Sequence, residues 1–219
     1  MGVGVRLKKL LELVGSNNNL VIDVGADHGI LSKQILDNNQ SEYVIATDIS
    51  KRCLEKSEIL LKGYIAKNLA KCVVSDGLKN CIDVTNCDLV IIAGMGGNEI
   101  VKILTENPNK KVFTRFLLQP MQDVEILRRF LSENGYNIVK DELIYEKCKF
   151  YFAMVVEFSD EKMNLSENEI AFGRYYASDN SKEFKDFLNY TYKQLKAREK
   201  YLSKNDLLKL SFCEKIINE

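Results

Sequence analysis

Four times in the first hundred residues a short apolar run stops on an acid or a glycine. The runs are "LVIDVGADHG" from Leu20, "EYVIATD" from Glu42, "AKCVVSDG" from Ala70 and "CDLVIIAGMGG" from Cys87. Runs of this length, rich in Val and Ile, read as buried strands, and the stretches between them carry helical spacing. Strands alternating with helices pair in parallel, because the crossover helices cover both faces of the sheet. A fifth run, "TRFLLQP" (114–120), is stopped by Pro120, and a helix follows over Asp123–Glu133. Then "YNIVKDELIYE" and "KFYFAMVVEF" are joined by a short charged turn, which predicts an antiparallel hairpin at the sheet edge. Val5, Leu7, Leu10, Leu11 and Val14 predict an opening helix, and Ser50 is placed to cap a long one running to about Asn68.

Past Phe158 the pattern changes. "SDEKMNLSEN" reads as a polar linker, and the remainder is helical throughout. Phe184, Leu188, Thr191, Leu195 and Leu202 approach a heptad seam broken by Arg198. Leu207, Leu208, Phe212, Ile216 and Ile217 could supply a second helix packing back on it. The expected organisation is an α/β domain over 1–159 and a small, coiled-coil-like helical hairpin over 160–219.

Lys+Arg and Asp+Glu both number 31, so any nucleic acid would have to be met by a local basic face. Cys53, Cys72, Cys81, Cys87, Cys148 and Cys213 form no C-x-x-C pair, and one histidine cannot complete a zinc set, so no metal is expected. Apolar runs fall short of the roughly 20 residues of a membrane span, and no secretory leader is legible. The expectation is a soluble, cytoplasmic monomer.

Ligands of open parallel sheets bind beyond the carboxyl ends of the strands, where the acids and glycines of this chain stand. Gly25 and Gly29 suit a tight strand-to-helix turn. Between them lie Asp27 and His28, and a carboxylate there would repel a pyrophosphate, which argues against NAD and ATP. Asp48 is placed to take a ribose diol. Asp76, before Gly77, could accept from the amino group of an adenine. Asp23, Ile49, Ala93 and Gly94 flank these positions and join Gly25, Asp27, Gly29, Asp48, Asp76 and Gly77 in the candidate cofactor set. A nucleoside carrying an amino acid and no phosphate, S-adenosylmethionine, fits this pattern. Each feature also has a local explanation: an N-cap region at Asp48, a turn at Asp76-Gly77, and loop packing at His28.

Taken in order, "DVGADHGIL" (23–31), "ATDIS" (46–50), "SDGL" (75–78), "IIAGMGG" (91–97) and "LLQP" (117–120) resemble the bacterial tRNA (adenine-22, N1)-methyltransferases. The likeness runs across residues 5–158. It implies a Rossmann-like class I methyltransferase fold, a helical C-terminal domain, and methyl transfer from S-adenosylmethionine to a ring nitrogen of adenine in tRNA. Such chemistry puts Asp27 near the base as it becomes cationic, with His28 either orienting it or contacting the substrate. It also makes the Gly94-Met95-Gly96-Gly97 turn the place where the base is held. Where the family commonly has an aromatic residue and a proline after Asp-His, this chain has Ile30 and Ser32, so a stacking partner must come from elsewhere. Lys193, Lys196, Arg198 and Lys200 are the first candidate RNA contacts, and Lys33, Lys51, Arg52 and Lys56 the second. Two other classes remain open from sequence: a methyltransferase for a small molecule or protein, and a non-catalytic adaptor.

Overall fold

The computed structural model describes residues 4–81, 84–107, 112–113, 115–159, 161–174 and 181–218. Thr114 of the expected fifth strand lies outside them. Helix α1 (Val5–Val14) precedes β1 (Asn18–Val24), α2 (Ile30–Asp37), β2 (Ser41–Asp48), α3 (Lys51–Ile65) and β3 (Ala70–Val74). Then come β4 (Leu89–Met95), α4 (Gly97–Thr105), β5 (Arg115–Pro120) and α5 (Val124–Glu133). The hairpin β6 (Tyr136–Glu146) and β7 (Lys149–Phe158) leads into α6 (Glu167–Phe172), α7 (Lys182–Lys196) and α8 (Lys204–Asn218).

The strands form one sheet in the order β3-β2-β1-β4-β5-β7-β6, with β7 antiparallel to both of its neighbours. Alternate residues of the apolar strands serve opposite faces. Val21, Val44, Leu89 and Ile91 meet Leu10, Leu13, Ile35 and Leu61 from α1–α3. Ile22, Ile45, Val90 and Ile92 meet Ile100, Leu104, Leu127 and Leu131 from α4 and α5. Burial on both faces is why these runs lack polar alternation. Registers Asp23↔Ala46 and Asp23↔Ile91 bring the carboxyl ends of β1, β2 and β4 to one level. The hairpin turn uses Lys147 and Cys148, both at positive φ, as a two-residue reversal requires.

The structure shifts several expected boundaries. Ser50 caps α3, its hydroxyl accepting from the Cys53 amide, but the helix ends at Ile65 and Asn68 turns at positive φ. Strand β3 stops at Val74, leaving Asp76 and Gly77 in the turn beyond it. The stretch read as a polar linker is partly structural. Met163 and Leu165 pack on the sheet core, and Ser166 with Glu169 forms a capping box that starts α6.

In the tail, Phe184, Leu188 and Leu195 are buried as the seam predicts, but α7 ends at Lys196, so Arg198 and Leu202 lie beyond it. Helix α8 turns Leu210 and Cys213 inward, with Phe212 and Ile216 half-buried, and leaves Leu207, Leu208 and Ile217 exposed. Three of the five residues expected to pack back on the seam thus face outwards, because adjacent apolar residues do not say in sequence which of them faces in.

One buried ion pair fastens α6 to the sheet. The Arg128 guanidinium donates to both carboxylate oxygens of Asp141 at 2.9 and 3.0 Å, and to the Ile170 carbonyl at 3.0 Å. It also lies 4.2 Å from the Phe152 ring centre.

Candidate active site

The loop after β1 must reverse in five residues, and it does so through three left-handed positions: Gly25 at φ 71°, Asp27 at 49° and Gly29 at 71°. Glycine tolerates this freely, and Asp is among the few side chains that do so at small cost. A Cβ on Gly25 would collide with the Met95 thioether methyl, and one on Gly29 would press on Ser57 of α3 at 3.1 Å. So the first glycine admits Met95 from the fourth strand, and the second admits α3. Ser57 Oγ then donates to the Asp27 carbonyl at 2.7 Å.

Asp48 ties two strand ends together. One carboxylate oxygen accepts from the Asp27 amide at 3.1 Å, and the other accepts from the Ser50 amide at 2.8 Å. A carboxylate offers about four acceptor positions, so lone pairs remain for a ligand diol. Ile49, beside it, is 70% exposed, an apolar face at the lip of the site.

Asp27 and His28 form the polar tip. His28 Nε2 lies 2.8 Å from the Lys56 ammonium and Nδ1 lies 2.6 Å from Asp27 Oδ2. An ammonium can only donate, so Nε2 accepts and the ring proton sits on Nδ1, donating to Asp27. This bond holds the Asp27 carboxyl below the usual carboxylate range.

A cleft of about 470 Å³ opens beside this loop, lined by Asp23, Gly25, Asp27, Ala93, Gly94 and, from α1, Arg6. Asp23 is buried and accepts from Ser32 Oγ at 2.6 Å. Burial pushes its carboxyl up to about 6. A β-bulge at Gly94 (φ 83°) sets Ala93 and Met95 out of step with β5, and nothing occupies the space where a Gly94 Cβ would point. Beyond it Gly97 packs against the Asp123 backbone, so the glycine turn and the loop after β5 are one unit. The Gly97 amide donates to the Gln122 carbonyl at 2.9 Å.

Of the expected residues, the structure gathers Asp23, Gly25, Asp27, Ala93 and Gly94 around the cleft and places Asp48, His28, Gly29 and Met95 against the same loop. Asp76 stands apart from the cleft lining, bonded to Lys79 at 2.5 Å, with Gly77 (φ 61°) closing its turn. Lys193, Arg198 and Lys200 are exposed near the end of α7, whereas Lys196 is paired with Glu199 at 3.0 Å and Glu214 at 3.5 Å. In the second patch Lys33 is tied to Asp37 and Lys56 to His28.

Arg6 was not anticipated. Its guanidinium donates to Gln119 Oε1 at 2.9 Å, lies 5.6 Å from the Tyr151 ring centre, and pairs with no carboxylate among the described residues. The available signal was spacing: Arg6, Leu10 and Leu13 share one helical stripe, so a cation stands where α1 turns inward. Among the described residues no group of three His, Cys, Asp or Glu could hold a metal ion, and no helix is long and apolar enough to cross a membrane.

Known proteins with this architecture share more than a fold. Residues 21–219 match the family model described as tRNA (adenine(22)-N(1))-methyltransferase. A Mycoplasma genitalium protein provisionally described as a tRNA methyltransferase is 31% identical over 170 residues, 77% of this chain and 76% of that protein. The Bacillus subtilis tRNA (adenine(22)-N(1))-methyltransferase is 29% identical over 167 residues, 71% of this chain and 67% of its own. A Streptococcus pneumoniae protein provisionally described as a tRNA (m1A22) methyltransferase, crystallised with S-adenosyl-L-methionine, superimposes with a TM-score of 0.87. It is 25% identical, over 99% of this chain and 100% of that one.

Proposed function

This chain belongs to the tRNA (adenine(22)-N(1))-methyltransferase family, and from that premise we infer how its own residues divide the work. The reaction is S-adenosylmethionine-dependent methylation of N1 of adenine 22 in tRNA. We take its place of action to be the cytoplasm, where tRNA is found. Residues 1–159 form the catalytic unit in this reading and 160–219 a helical unit docked on it.

The residues present suit that cofactor. Its amino-acid end carries one anion and one cation, and the cleft offers Arg6 for the first and Asp23 for the second. In this reading Asp48 receives the ribose diol with the oxygens' remaining lone pairs, Ile49 covers an adenine face, and the adenine edge is assigned to Asp76 with Gly77. The empty space over Gly94 leaves room for a ligand that a side chain would fill. When bound, S-adenosylmethionine supplies an electrophilic methyl group on a sulfonium.

Alignment is the protein's main task, because the N1 lone pair of adenine is already available. The glycine turn 94–97 exposes backbone to the base, and Asp27 stands beside it, kept anionic by His28. Adenine 22 must leave its stack to get there, at a cost of a few kcal/mol. Lys193, Arg198 and Lys200, the exposed cations near the α7 end, are our choice for tRNA phosphates.

The observation that carries these roles is the bond from the Asp27 amide to Asp48, which makes the cofactor acid and the base-side loop one structure. Labelled methyl groups should enter tRNA from a strain lacking this protein, at adenine 22 alone. Failure to label any tRNA would sink the reading. Asp48→Ala removes a charged acceptor and should weaken cofactor binding by about 1–3 kcal/mol. Calorimetry giving wild-type affinity in a folded variant would return Asp48 to a purely local role.

A further inference from the structure

A second cavity opens on the far side of Met121, which lines both it and the cleft. It is lined by Phe150, Tyr151 and Phe152 of β7, Phe172 of α6, and Phe187 and Thr191 of α7. Its volume is about 240 Å³. That lies below the roughly 300–1,000 Å³ of sites for drug-sized ligands and suits a single flat ring.

The aromatics here do two different things. Phe172 is buried and stacks on Phe212 at 4.7 Å between ring centres, holding α6 to α8. Phe150 and Phe187, 5.4 Å apart, are only half-buried and turn towards the opening. Tyr190 and Tyr145, both about half exposed, lie 5.6 and 4.8 Å from Phe150 and extend the aromatic surface outwards. Core aromatics normally close on one another to native density, so an open aromatic gap at a domain junction asks for an occupant.

Its position says which. Tyr151, in the wall, lies under the Arg6 guanidinium, and Arg6 and Met121 both line the cleft. The two chambers are therefore neighbours that share Met121. Sequence-tolerant binding of unstacked bases on aromatic side chains is the common mode for single-stranded RNA. Drawing one base out of a folded tRNA also takes away one stacking partner of the base beside it.

We propose that this aromatic cavity receives the nucleobase next to adenine 22, holding it out of the stack while the target base occupies the cleft. The proposal rests on the tRNA reading above. Gln122 and Glu125 stand at the α5 end of the cavity. Glu125 is engaged by Lys209 at 2.7 Å, so Gln122, with both a donor and an acceptor, is the group that would meet the base edge.

The test pairs RNA and protein changes. tRNAs carrying a single abasic site on one or other side of adenine 22 are assayed with the full chain. The wild type should lose about tenfold in kcat/KM for one of the two flanks, as expected for one stacked base. Phe150→Ala removes a stacking face and Thr191→Phe fills the cavity. Each should lose a similar factor on intact tRNA, become indifferent to that abasic site, and bind S-adenosylmethionine as the wild type does. A wild type insensitive at both flanks overturns the proposal, as do variants that keep full sensitivity. An enzyme that methylates no tRNA at all overturns the underlying reading instead.

Discussion

Asp141→Ala is expected to lower the free energy of unfolding by about 3–5 kcal/mol, read as a fall in the urea midpoint at constant slope. Arg128 and Asp141 show no side-chain exposure, and the pair is bidentate. Removing the carboxylate leaves a guanidinium deep in the protein whose remaining partners among the described residues are the Ile170 and Ala171 carbonyls and the Phe152 ring. The Arg174 amide, which donates to Asp141 at 3.0 Å, loses its acceptor as well. Replacing both members with apolar residues of similar size, Arg128→Met with Asp141→Leu, should recover most of the loss, because the large term is the unpaired charge. The neighbouring Arg129–Glu167 pair is the control. It joins α5 directly to α6 but is about half exposed, so Glu167→Ala should cost no more than about 1 kcal/mol. Equal effects at the two sites would mean that the buried pair is not what fastens α6 to the sheet.

That fastening was invisible in the sequence, and the reason is physical. Arg128 sits in a helix among Leu127 and Leu131, where an arginine ordinarily reads as an exposed face. Nothing local states that Asp141, on a strand thirteen residues away, and two carbonyls of α6 will surround it. The sheet was legible for the opposite reason. Val21, Ile22 and Val24, Val44 to Ala46 and Leu89 to Ile92 are apolar because both faces are covered, so length and composition alone identify them.

Site residues divide in the same way. Gly25, Asp27, Gly29 and Asp48 could be found because a turn with positive φ and an acid at a strand end leave a mark in sequence. Arg6 and Lys56 could not be given their partners, since a cation on a helix carries no record of what it meets across space. The same limit misplaced the inner face of α8. Leu207 and Leu208 are as apolar as Leu210, yet only the last is buried.

The remaining prediction concerns Asp27. Asp27→Asn is expected to lower the single-turnover rate of tRNA methylation about a hundredfold while changing cofactor affinity less than about threefold. The substitution isolates charge from shape. The loop is held through the Asp27 amide to Asp48 and the Asp27 carbonyl to Ser57, and both are backbone groups that asparagine keeps. An asparagine oxygen can still accept from His28 Nδ1, so the imidazole need not move. On the role proposed for Asp27, what disappears is a negative charge beside a ring that becomes positive only as N1 is methylated, an interaction stronger in the transition state than in the ground state.

The pH profile follows from the same contacts. His28 lowers the carboxyl of Asp27, so the anion is present throughout the neutral range and is lost only as pH falls through that lowered value. Asp27 should therefore contribute no inflection to the rate between pH 6 and about 8. If the variant instead lost cofactor affinity and rate by the same factor, Asp27 would be a ligand of the cofactor. The charge facing the base would then have to come from another group.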